Sequence, residues 1–131
     1  MSGGQDFDIW DIWLPDVANG PEKGHVLCAL EDIGDGKGLE FTFGTEKEPF
    51  EFFVYRRKNE VFAYQNACPH MYVPLNLKEG VFTEKSGQYF LCNFHGALFQ
   101  IDDGKCMAGP CRGRSLRSVA VGIEDGKVIV L

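Results

Sequence analysis

The chain has 131 residues, a formal net charge of −6, 44% apolar residues and 13% aromatic residues. This is the length of one ordinary domain with ample apolar material for a core, which excludes a disordered chain and a disulfide-stapled miniprotein. The acidic balance, without long basic runs, argues against a nucleic-acid-binding protein.

Residues 1–24 lie outside the pattern of the rest and form a predicted N-terminal extension. The stretch "DFDIWDIW" is acidic and aromatic, and a flanking strand, a packed arm and a partner-binding tail all remain open for it. The start is acidic where a secretory signal would be basic, and no apolar run reaches the roughly 18 residues of a membrane span. We therefore expect a cytoplasmic protein without a membrane segment. Clustered cysteines in that compartment are expected to bind metal rather than form disulfides.

Residues 25–131 are predicted to form one domain of strands separated by turns. Apolar residues alternate in "GLEFTF", "FEFFVY" and "VFAY", which indicates strands with one buried face. Later strands are predicted at "QYFLC", "ALFQI", "SVAVGIE" and "KVIVL". The pairs Asp103-Gly104 and Asp125-Gly126 lie between apolar runs and suit tight hairpins. No amphipathic helix of three turns is visible. The prediction is an all-β, antiparallel domain of about eight to ten short strands.

Two loops each contain a cysteine that is followed within three positions by a histidine. "NACPHMYVPL" contains Cys68 and His70, and "YFLCNFHGALF" contains Cys92 and His95. Zinc and iron–sulfur clusters are the candidates for mixed sulfur and nitrogen ligands. A structural zinc site usually takes paired cysteines from one knuckle and paired histidines from a helix. One cysteine and one histidine per loop instead favour a two-iron cluster, with both cysteines on one iron and both histidines on the other. A zinc-held module stays as an alternative.

The spacing C-x-H…C-x2-H, completed by the glycine of "HG", resembles the Rieske [2Fe–2S] family over roughly residues 25–131. "NACPHMYVPL", "LCNFHGALFQIDDGKC" and the turn Gly109-Pro110 are similar to that family's two cluster loops and its proline loop. The resemblance implies an antiparallel β fold in which a smaller cluster-binding subdomain, at about residues 64–112, is inserted in a base domain.

The resemblance also implies one [2Fe–2S] cluster per chain. Cys68 and Cys92 would bind the buried iron, and His70 and His95 would bind the outer iron near solvent. Neighbouring residues are predicted to enclose the cluster: Met71, Tyr72, Phe94, Gly96, Gly109 and Pro110. The large ones among them would keep water away, although the tyrosine could instead tune the potential or line an electron exit. The glycine after the second histidine would let its loop fold closely around the cluster.

The residues around the ligands predict a low reduction potential. In high-potential family members a disulfide joins the two cluster loops, and its positions here are Val73 and Phe94. Those members also direct a serine and a tyrosine hydroxyl at the cluster, where this chain has Ala97 and Phe99. Fewer hydrogen bonds to sulfur leave the reduced, more negative cluster less stabilised, so we expect a potential near about −150 mV.

The resemblance implies an electron carrier rather than an enzyme. A Rieske oxygenase needs a second iron site with two histidines, and only His25 would remain here once His70 and His95 bind the cluster. A monomeric ferredoxin would take an electron from a flavin-dependent reductase and deliver it to a terminal oxygenase. Docking would be transient, at the edge formed by the two ligand histidines.

Other functions and features stay open. The chain could be the small subunit of a nitrite reductase, or a redox- or iron-sensing module that binds a partner through "DFDIWDIW". The basic stretch from Lys105 to Arg117 is either a solvated edge or a docking rim for an acidic partner. Cys106 and Cys111 are expected to be reduced, partly buried thiols, with a local disulfide as the alternative. Cys28 is expected in the core.

Overall fold

The computed structural model describes residues 21–69 and 72–131, and within these ranges it has ten strands and one short 3-10 turn. The 3-10 turn (Leu30–Asp32) follows the first strand directly. The strands are β1 (Val26–Ala29), β2 (Gly38–Gly44), β3 (Pro49–Arg57), β4 (Glu60–Gln65), β5 (Tyr89–Leu91), β6 (Leu98–Gln100), β7 (Cys106–Ala108), β8 (Ser118–Val119), β9 (Val121–Glu124) and β10 (Lys127–Val130). The predicted all-β class is confirmed. Neither described range contains a helix long and apolar enough to cross a membrane.

The strands form three antiparallel sheets with the orders β1-β10-β9, β2-β3-β4-β8 and β5-β6-β7. The predicted tight hairpin at Asp125-Gly126 is confirmed, because both residues have left-handed φ angles (51° and 73°) and join β9 to β10. A two-residue turn of this kind matches the twist of its strands. The hairpin at Asp103-Gly104 has a wider loop, in which the Asp103 carboxylate accepts a hydrogen bond from the Lys105 N–H (2.9 Å).

Strand β3 is buried on both faces, which differs from the single buried face predicted from "FEFFVY". Phe52 and Val54 pack in one core with residues of β1, β2, β8 and β10. Phe53 and Tyr55, on the opposite face, pack in a second core that contains both cluster-loop cysteines. The alternation pattern missed this second face because most of the residues that cover it come from far along the chain, after residue 70.

Aromatic rings join β3 to the sheet of β5, β6 and β7. The Phe53 ring stacks on Phe82 with centroids 4.0 Å apart. Phe90, on β5, is fully buried and meets the rings of Phe53, Tyr55 and Tyr64 edge-on at 5.2, 5.2 and 5.6 Å. Aromatic pairs of this geometry contribute about 0.5–1.5 kcal/mol each beyond their buried area. These contacts hold the cluster loops against the central sheet.

The third sheet, β5-β6-β7, is formed by the segment of the chain between β4 and β8, which are neighbours in the second sheet. The chain leaves β4 at Gln65 and returns at β8, which pairs with β4 through Ala63 and Val119. Strands β5, β6 and β7 fall inside this segment, in the stretch predicted as the cluster-binding part. Of the predicted N-terminal extension, residues 1–20 lie outside the described residues. Pro21 is buried, and the Gly24 N–H donates to the Val130 carbonyl (2.7 Å).

Candidate metal centre

The first cluster loop follows β4 and is closed by two backbone hydrogen bonds. The Cys68 N–H donates to the Val73 carbonyl (2.8 Å), and the Tyr72 N–H donates back to the Cys68 carbonyl (2.6 Å). Tyr72 has a left-handed φ of 59°, which is uncommon for a residue other than glycine. The buried Asn66 side chain fixes the far end of the loop by accepting from the Leu75 N–H (2.9 Å). His70 and Met71 lie outside the described residues.

The second cluster loop, between β5 and β6, repeats this pattern. The Cys92 N–H donates to the Ala97 carbonyl (2.9 Å), and the Gly96 N–H donates to the Cys92 carbonyl (3.0 Å). Gly96 occupies the position of the left-handed tyrosine in the first loop and has a φ of 73°. A Cβ at Gly96 would meet no atom within 4 Å, so the backbone angle, rather than close packing, calls for glycine here.

Three contacts that sequence analysis missed hold the loops together. The backbone N–H and the side-chain Nδ2 of Asn93 both donate to the Leu75 carbonyl (3.0 and 3.1 Å), which ties the second loop to the end of the first. The Arg114 Nη1 donates to the Pro69 carbonyl (3.0 Å), in the first loop. Residues distant in sequence make these contacts, so local patterns gave no signal for them.

The proline loop packs directly on the second cluster loop at Gly109. A Cβ at Gly109 would lie 2.7 Å from the Ala97 Cα, and the residue has a left-handed φ of 101°. Both observations require glycine at this position. Pro110 is exposed beside it. Among the predicted neighbours of the cluster, Gly109 therefore has a defined structural role, because only glycine allows the proline loop to pack this closely on the second cluster loop.

The described ligand candidates divide between the interior and the surface. Cys68 and Cys92 are 2% and 1% exposed, in the core beneath the two loops. His95 is exposed. Tyr72 and Phe94 stand at the surface with exposures of 59% and 49%. Two buried sulfurs below a surface imidazole are the arrangement that a half-buried cluster with a solvent-facing edge requires.

The two buried sulfurs lie close enough to influence each other's ionisation. Burial raises the pKa of the Cys92 thiol, and the neighbouring Cys68 sulfur raises it further, because two thiolates side by side repel. The backbone N–H groups of Phe94 and His95 point at the Cys92 sulfur and act in the opposite direction, since they stabilise the thiolate. A cationic metal centre between the sulfurs would remove this repulsion.

The donor set fits a two-iron cluster. Each iron of such a cluster takes two protein ligands and two bridging sulfides, so three protein ligands need not meet at one point. Among the described residues, which omit His70, no three His, Cys, Asp or Glu side chains are grouped closely enough to hold a single metal ion. The two buried cysteine sulfurs would suit one iron, and the exposed His95 would suit the second.

The predicted basic rim is divided by the fold. Arg112 is exposed beside the proline loop, whereas Arg114 is engaged with the first cluster loop. The Arg117 guanidinium lies over the ring of Phe50, 5.3 Å from the ring centroid, and Phe50 belongs to the core of the base sheets. Partial burial lowers the pKa of Arg117. His25, the third histidine, meets the Phe43 ring edge-on at 5.3 Å. Cys28 is half-buried in β1.

Comparison with known proteins supports this description. The model of the family described as "Rieske [2Fe-2S] domain" matches residues 23–121. No curated protein sequence matches the chain. The ferredoxin of Sphingomonas yanoikuyae B1 is 30% identical, with a TM-score of 0.61 over 82% of this chain and 97% of that one.

Two further solved structures share the fold at lower identity. A complex of reduced oxygenase and oxidised ferredoxin in carbazole 1,9a-dioxygenase contains a chain that is 23% identical, with a TM-score of 0.62 over 82% of this chain and 100% of that one. A candidate NADPH nitrite reductase small subunit is 18% identical, with a TM-score of 0.59 over 83% of this chain and 98% of that one.

Proposed function

The chain belongs to the Rieske [2Fe–2S] family, and from this we propose that it is a one-electron carrier that supplies a terminal oxygenase. The family carries one [2Fe–2S] cluster per domain, and such a cluster accepts and releases one electron at a time. The observation that carries the proposal is the placement of two buried cysteine sulfurs beneath an exposed histidine. This arrangement protects the cluster from water on one side and offers a short path for electrons on the other.

We assign the ligands by loop position. Cys68 and Cys92 would hold the buried iron, and His70 and His95 would hold the outer iron. The N–H groups directed at the Cys92 sulfur stabilise its thiolate, which is the form that binds metal. The shared hydrogen-bond pattern of the two loops fixes the backbone on either side of each ligand pair, so the site is preorganised before metal binds.

The surface around His95 suits a transient partner. Tyr72 in the first cluster loop and Phe94, next to His95 in the second, are exposed by 59% and 49% and give the two loops apolar contact area. Arg112 adds a positive charge beside it. Small interfaces of this kind, below roughly 1,200 Å² of buried surface, are typical of electron-transfer encounters. We propose that an oxygenase and a flavin-dependent reductase use this same edge in turn, and that the carrier works as a cytoplasmic monomer.

The nitrite reductase alternative rests on a likeness of fold alone. The sensor alternative depends on "DFDIWDIW", which lies outside the described residues. The cysteine–histidine pairs and the ferredoxin relative at 30% identity favour the carrier over both.

Two measurements test the proposal. After dithionite reduction, the purified protein should give a rhombic mixed-valence EPR signal with an average g value below that of all-cysteine clusters. His95→Ala should lose this signal, whereas His25→Ala, which changes the histidine outside the loops, should keep it. The second measurement is the visible absorbance of the cluster after rapid mixing. NADH with a flavin-dependent ferredoxin reductase should reduce the cluster and bleach this absorbance, and a ring-hydroxylating oxygenase should then oxidise the cluster and restore it. A cluster-loaded protein that no reductase reduces and no oxygenase reoxidises would contradict the carrier.

A further inference from the structure

Three buried sulfurs form a line that ends at a predicted cluster ligand. Cys106, on β7, lies with its Sγ 3.6 Å from the Cys111 Sγ. Cys111, in the segment after the proline loop, lies with its Sγ 3.9 Å from the Cys68 Sγ. The three residues are 3%, 2% and 2% exposed. Both thiols that sequence analysis expected to be partly buried are therefore fully buried and belong to the surroundings of the ligand.

The chemistry of the ligand sets the direction of the hydrogen bonds along this line. A thiol has one proton to donate, and its sulfur is a weak acceptor. A cysteine bound to iron has lost its proton, so Cys68 can only accept, and Cys111 must be the donor between them. Cys106 can then donate to the Cys111 sulfur or to the Ala108 carbonyl, 3.3 Å away. The first choice gives a relay that points from Cys106 through Cys111 to the ligand.

The sulfurs of the two predicted cysteine ligands have different hydrogen-bond donors. The Cys92 sulfur faces the backbone N–H groups of Phe94 and His95. The Cys68 sulfur faces the Cys111 thiol. Ala97 and Phe99, the positions at which hydroxyl donors occur in high-potential family members, carry no donor in their side chains. The thiol of Cys111 therefore supplies a side-chain hydrogen bond to the cluster surroundings that those two positions lack.

We propose that Cys111 is a positioning residue that donates a hydrogen bond to the Cys68 sulfur and raises the reduction potential of the cluster, and that Cys106 orients it. The proposal depends on the cluster assigned above. Reduction adds negative charge to the ligand sulfurs, and a donated hydrogen bond is stronger to the more negative acceptor. The thiol thus stabilises the reduced state more than the oxidised state. Polarisation by Cys106 strengthens the same bond.

The test compares midpoint potentials of cluster-loaded variants, measured by EPR-monitored redox titration. Cys111→Ala should lower the midpoint, so that the ratio of reduced to oxidised protein at a fixed potential falls by roughly twofold to tenfold, the range of one modest hydrogen bond. A tenfold change corresponds to about 59 mV for a one-electron couple. Cys111→Ser keeps a donor and should stay closer to the unaltered protein than the alanine variant. Cys106→Ala should give a smaller shift in the same direction.

Cys28→Ala is the matched control, because it removes a half-buried thiol in β1, away from the cluster loops, and should leave the midpoint unchanged. A vibrational measurement gives an independent check: the iron–thiolate stretching bands should shift in D₂O for the unaltered protein and less so for Cys111→Ala. Equal midpoints for the unaltered protein and Cys111→Ala, at equal iron content, would overturn the proposal. Equal shifts for the alanine and serine variants would also overturn it, since packing alone would then explain them.

The failure of this inference can be distinguished from the failure of the proposed function. If the unaltered protein shows no rhombic EPR signal, the cluster assignment itself is wrong. If the unaltered protein shows the signal and the Cys111 variants keep its potential, only the hydrogen bond is refuted. Should Cys111→Ala fail to hold iron, Cys106→Ala still decides, because the relay requires its midpoint to lie below that of the Cys28→Ala control, and equal midpoints for these two variants would overturn the proposal.

Discussion

Gly109→Ala should loosen the proline loop over the cluster by a predictable amount. Two costs arise at this position. The left-handed backbone, with a φ of 101°, costs a residue with a Cβ roughly 1–2 kcal/mol. The new Cβ would also lie 2.7 Å from the Ala97 Cα, and such overpacking typically costs about 1–3 kcal/mol more. The neighbouring backbone must shift, because the contact is with main chain rather than with a flexible side chain.

Gly113→Ala is a matched control for this substitution. Gly113 has a similar left-handed φ of 93°, but a Cβ there would meet no atom within 4 Å. The control therefore includes the backbone strain without the clash. The difference between the two variants isolates the contact between the proline loop and the second cluster loop. At about 1.4 kcal/mol per tenfold change, the expected 1–3 kcal/mol corresponds to roughly a fivefold to hundredfold difference.

The assay is the rate at which the visible absorbance of the cluster disappears in a fixed concentration of urea. We expect both alanine variants to lose the cluster faster than the unaltered protein, and Gly109→Ala to lose it faster than Gly113→Ala. Equal rates for the two variants would show that the proline loop does not control access to the cluster. In that case the close approach at Ala97 would be a packing detail without influence on cluster retention.

Four further predictions concern the core, a loop, the tether between loops and the docking surface. Phe90→Ala should lower the free energy of unfolding by about 3–5 kcal/mol in urea denaturation, whereas the exposed Leu77→Ala should change it by less than about 0.5 kcal/mol. Hydrogen bonds from Ser86 and nearby backbone N–H groups lower the pKa of Glu84 to about 2. The Glu84 carboxylate therefore stabilises its turn fully above the unfolded pKa of about 4.3, and this stabilisation is lost as the pH falls through about 2. Glu84→Gln should therefore flatten the loss of stability in acid urea titrations, and a curve parallel to that of the unaltered protein would be inconsistent with this. Arg114→Ala removes a charged donor to the first cluster loop and should speed cluster loss, while Arg112→Ala should not; equal rates would contradict the tether. If Arg112 steers partners, electron transfer should slow with added salt and Arg112→Gln should weaken that dependence, whereas a flat salt response would exclude steering.

Much of the fold follows from local sequence patterns. Period-two alternation located the strands, since a side chain on a strand faces the same side as the residue two positions away. The "SVAVGIE" stretch is an exception: it divides into β8 and β9 at Ala120 because each half pairs with a different sheet. The Asp125-Gly126 turn was predictable because its left-handed backbone favours these residue types.

The surroundings of the candidate site were less predictable, because they depend on contacts between distant segments. Cys111 and Cys68 are 43 positions apart, and no local spacing reports that their sulfurs meet. The basic stretch appeared continuous in sequence, yet Arg114 points to the first cluster loop and Arg117 to the base sheets. A change of direction within the segment that follows the proline loop separates side chains that the sequence places together.

Strand β3 gives the two halves of the molecule a common structural element. Phe52 and Val54 contribute to the core of the base sheets, and Phe53 and Tyr55 contribute to the core around the cluster cysteines. Loss of β3 would expose both cores at once, so the global unfolding of the base sheets and of the core beneath the cluster loops should occur together. The amide hydrogens of β3 and of its partners in both cores should consequently exchange through one shared global opening.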